Sequence, residues 1–141
     1  MDLLSAERRI DHLSKVIETI NRWVINSAGV SEEALRAFVD DVGKLLNEKR
    51  DLLLRVNKSK AINKFDSTMS ILEAECYIKS IAEMAKVNEN VAFGLSKFVL
   101  GGVINSTDAD VVRLYKESST MIASVFEIEE RLRAVKTKTG V

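Results

Sequence analysis

Residues 3–24 read LLSAERRIDHLSKVIETINRWV, and their apolar members keep a strict rhythm. Leu3, Ala6, Ile10, Leu13, Ile17, Ile20 and Val24 recur at alternating steps of three and four. Residues 111–135 repeat the rhythm with Val111, Leu114, Met121, Val125, Ile128, Leu132 and Val135, interrupted only at Ser118. Such a pattern lays one apolar seam along a helix, and the seam must be covered by other helices. The chain has no proline in 141 residues, so no helix is broken by a ring lacking its amide proton. The expected fold is all-α: an antiparallel helical bundle of four main helices in a single domain spanning 1–141.

Composition supports a folded, ordinary protein. Hydrophobic residues make up 46% and charged residues 30%, which leaves enough apolar material for a core and argues against disorder. Leu, Ile, Val and Ala dominate over aromatics, which favours helix packing over an aromatic ligand pocket. Basic and acidic residues balance at 21 each, so the electrostatic footprint of a nucleic-acid binder is missing and none is expected as a partner. The densest basic run, Arg131, Arg133, Lys136 and Lys138, sits where a helix end would welcome positive charge. One cysteine, Cys76, allows no intrachain disulfide and fits a reducing compartment. The N-terminal residues lack the order of a signal peptide, and no run approaches the roughly 20 apolar residues of a membrane span. A cytoplasmic location is the expectation.

Helix boundaries follow from local signals. The first helix is expected over about 2–27, with Gly29 as its stop. Ser31 reads as an N-cap followed by Glu32 and Glu33, opening a second helix over about 32–56. The loop is short, so these two helices are antiparallel neighbours. The second seam runs through Leu35, Phe38, Val42, Leu45, Leu52 and Val56, with Val39, Leu46 and Leu53 beside it and Lys49 on it. Asn57–Lys60 is polar but lacks a strong turn former. A second candidate break lies at Asp66–Thr68, and Ser70-Ile71-Leu72-Glu73 has the capping-box pattern. The third helix, about 62–100, is therefore long or broken near 60–70. Gly101-Gly102 ends it. Ser106 or Thr107 caps a fourth helix over about 107–136, and the tail from Thr137 to Val141 is expected to fray.

Catalytic constellations are missing by arithmetic. One His and one Cys cannot build the usual zinc sites, and a carboxylate-bridged bundle centre needs Glu-x-x-His pairs that the chain does not contain. No glycine-rich phosphate loop occurs. No enzyme activity, metal or cofactor is expected. Cys76, among Leu72, Ala74 and Ile78, reads as a small buried hydrophobe.

His12 falls on the flank of the first seam and should be exposed. An exposed His on a four-helix bundle of this size, with Lys15 three residues on, resembles the histidine phosphotransfer domains. That family typically has a leucine two residues after the His and a glycine near four after it; this chain has Ser14 and Val16. The resemblance implies phosphoryl acceptance at His12 as the alternative function.

The favoured reading starts from 91–100, VAFGLSKFVL, which is apolar nearly all round. A helix with apolar residues on every side is covered on every side or meets a partner. Phe93, Leu95, Phe98 and Leu100 are the candidate anchors, and Gly94 would let another backbone approach. The expected function is a non-enzymatic protein–protein interaction module, such as an adaptor, an assembly chaperone or a small phage or viral structural or regulatory protein. It would act through apolar helix faces on a protein partner or by self-association. Homo-oligomers are expected because regular seams close between chains as easily as within one.

Overall fold

A computed structural model describes residues 1–26, 29–101 and 108–141, and the side chains of these except 98–101 and 108. The described residues form four helices: α1 (Leu3–Asn26), α2 (Glu32–Ile62), α3 (Ile71–Gly101) and α4 (Asp108–Lys136). Among the described residues there is no strand, only two isolated bridges, Asp2 with Gly140 and Lys64 with Ser70. The chain divides into two compact units, Met1–Asn63 with Val135–Val141, and Lys64–Ala134.

The first unit is an antiparallel pair of helices. Arg9 on α1 pairs with Glu48 on α2 at 2.8 Å, and Trp23 meets Phe38 edge to face with ring centroids 4.9 Å apart. Asp2 starts α1 by accepting from the Ser5 amide at 2.8 Å, which satisfies one amide that a helix start leaves open. Ser31 caps α2 through the Ala34 amide, and Gly29 before it has φ +89°, the left-handed turn expected of a helix stop. Leu3, Ala6, Ile10 and Leu13 are buried on α1, as are Leu52, Val56 and Ser59 on α2.

The tail does not fray. The Leu3 amide donates to Thr139 O at 2.8 Å and the Val141 amide to Met1 O at 3.3 Å. Ser59 Oγ donates to Gly140 O at 2.8 Å, and Arg55 donates to Val141 O at 2.9 Å. Residues 139–141 are thus strapped to α2 by hydrogen bonds across 81 and 86 positions of sequence, and to the start of α1 through Leu3. No local pattern announces such bonds.

The second unit pairs α3 with α4, again antiparallel. The discontinuity expected within 60–70 lies at 63–70, between two helices of 31 residues each. α2 runs on from the expected end at 56 to Ile62, and α3 starts at Ile71 instead of about 62, so most of the stretch expected to open helix 3 is the turn between them. Polar Asn57–Lys60 does not end α2, because Ser59 and Lys60 spend their polar groups on tertiary partners. The turn is built by Asp66, whose Oδ1 accepts from the Thr68 amide, the Thr68 hydroxyl and the Met69 amide. The capping box then forms as its sequence suggests. The Ser70 amide donates to Glu73 Oε2 at 2.6 Å, and the Glu73 amide donates to Ser70 Oγ at 3.2 Å. Residues 106 and 107, the expected caps of helix 4, lie outside the described residues.

These bonds make the turn sensitive to acid. The Thr68 amide, then the Thr68 hydroxyl, hold the Asp66 carboxyl below its ordinary 3.8. The Ser70 amide, then its hydroxyl, hold Glu73 below 4.5. Both groups are easier to ionise folded than unfolded. Their contribution is complete above the unfolded value and is lost as pH falls through the lowered folded one. Side-chain carboxyl NMR should find both midpoints below these ordinary values, with Met69 and Ser70 amide exchange rising over the same window. Midpoints at the ordinary values would show that the bonds do not persist in solution.

Candidate interaction surface

Burial along the seams is uneven. On α1, Leu3 to Leu13 are buried, while Ile17, Ile20 and Val24 are half-buried. On α2, Leu52 and Val56 are buried, while Phe38, Val42 and Leu45 are half-buried. The stripe beside that seam is open: Val39 is 72% exposed, and Leu46 and Leu53 are exposed too, as is Leu35 at the start of the seam itself. Between the helices lies a groove of about 430 Å³, lined by Ile20, Val24, Leu35, Phe38, Val42 and Leu46, among others. Gly43 also lines it, and a Cβ added there would meet nothing within 4 Å. A glycine inside a helix costs about 1 kcal/mol relative to alanine, and among the described residues no close neighbour requires this one.

The second unit shows the same imbalance. On α3, Ile71, Ala74, Ile78, Ala85 and Ala92 are buried. Ala85 meets α4 at Ser118, whose hydroxyl donates to Ala85 O at 2.9 Å. The interruption of the last heptad run is therefore a buried, satisfied hydroxyl at a helix crossing. A second stripe on α3, Tyr77, Met84 and Val91, recurs every seven residues and is exposed. It borders a groove of about 460 Å³ whose α4 wall is Thr120, Met121 and Ser124. Spacing alone could have revealed this stripe.

Of the four expected anchors, Phe93 is exposed and Leu95 half-buried on α3. Lys97 Nζ stands 4.5 Å from the Phe93 ring centre, a cation–π distance. Phe98 and Leu100 have side chains outside the described residues. Cys76, expected inside, is exposed. The reason is helical phase: it stands two residues from both Ala74 and Ile78, so it turns away from the face they share.

His12 is exposed on α1, as its flank position requires. Exposure is common to any flank residue of an amphipathic helix and does not by itself mark a phosphoryl acceptor. Among the described residues, no group of three or more His, Cys, Asp or Glu side chains is placed to hold a metal ion. No helix there is long and apolar enough to cross a membrane.

Comparisons with protein-family models, curated proteins and solved structures found no match. Among the described residues, twelve hydrophobic side chains are buried, four of them alanines, while nineteen large ones are exposed. Single exposed apolar residues are normal, but organised stripes along grooves mark binding surfaces.

Proposed function

We propose that the chain is a protein–protein interaction module that binds through the open apolar stripes of its helix pairs. The observation that carries this reading is the second heptad stripe on each of α2 and α3. A helix with two apolar stripes is shaped for two helical neighbours, and within its own unit each of these helices packs on one. Apolar anchors would supply the affinity, and the surrounding charges would set register. The work is recognition, with the helix pairs as rigid presenting elements.

Photo-crosslinking in the expressing cell tests this reading. A photoreactive residue is placed at Val39, Met84 or Phe93, and at Lys58 as an exposed control away from the stripes. Adducts at the stripe positions and none at Lys58 are expected. Absence of adducts at all three stripe positions would refute the reading.

A further inference from the structure

We draw no further inference here: the strongest candidate, the exposed apolar face of α3 formed by Tyr77, Met84 and Val91 beside the groove that Thr120, Met121 and Ser124 of α4 complete, belongs to the surface already described, and nothing in the structure shows what covers it.

Discussion

Glu7→Gln is expected to destabilise the Met1–Asn63 unit by about 2–3 kcal/mol, one of the two largest effects foreseen for a single side chain here. Glu7 accepts from Lys60 Nζ at 2.5 Å and from Lys136 Nζ at 3.0 Å. The carboxylate side chain is 23% exposed, and each lysine side chain 13%. One carboxylate thus compensates two ammonium groups largely withdrawn from water. Removing it leaves two like charges together in a place that solvates them poorly. Breaking a fully buried pair costs about 3–5 kcal/mol, and the remaining exposure reduces that figure. Urea unfolding followed by fluorescence of Trp23, the single tryptophan, reports on this unit. A change below about 0.5 kcal/mol, the size of an ordinary surface substitution, would show that the cluster is solvated like a surface pair. Replacing all three residues with methionine should recover much of the loss, since apolar packing often substitutes for a buried ion cluster.

Ser118→Leu is expected to cost the Lys64–Ala134 unit about 2–4 kcal/mol. By heptad logic the substitution looks like a repair, because it completes the run Leu114, Ser118, Met121. The structure gives the opposite sign. Ser118 is 3% exposed and faces Ala85, which is 1% exposed. Leucine would lose the bond to Ala85 O, worth about 1 kcal/mol. It would also force bulk into a contact built from two small residues, at about 1–3 kcal/mol. Ser118→Ala should cost only the bond and the small desolvation of the carbonyl. Thermal unfolding of both variants, read by circular dichroism, separates the two contributions. A leucine variant more stable than the natural protein would show that α3 and α4 have slack at this crossing.

The proposal above depends on residues that were legible to different degrees. Phe93 and Leu95 stand out in the sequence because VAFGLSKFVL is densely apolar, and the structure leaves Phe93 exposed. Tyr77, Met84 and Val91 are spread over fifteen positions and carry no local signal beyond their spacing. Whether such a stripe is core or surface depends on how many helices surround α3, which is a tertiary quantity.

The sequence by itself determined the helices, their seams and several of their ends, because these rest on interactions within a few residues. The heptads of α1 and α4, the Ser31 cap, the Gly29 stop and the Ser70–Glu73 box are all of that kind. Tertiary structure alone decided where α2 ends, that residues 139–141 are strapped down and that Ser118 belongs inside. Each of those depends on a partner far away in the chain: Ser59 on Gly140, Leu3 on Thr139, Ser118 on Ala85. A hydrogen bond across dozens of residues leaves no periodic trace. Its donor looks like any other polar residue until the fold brings the acceptor to it.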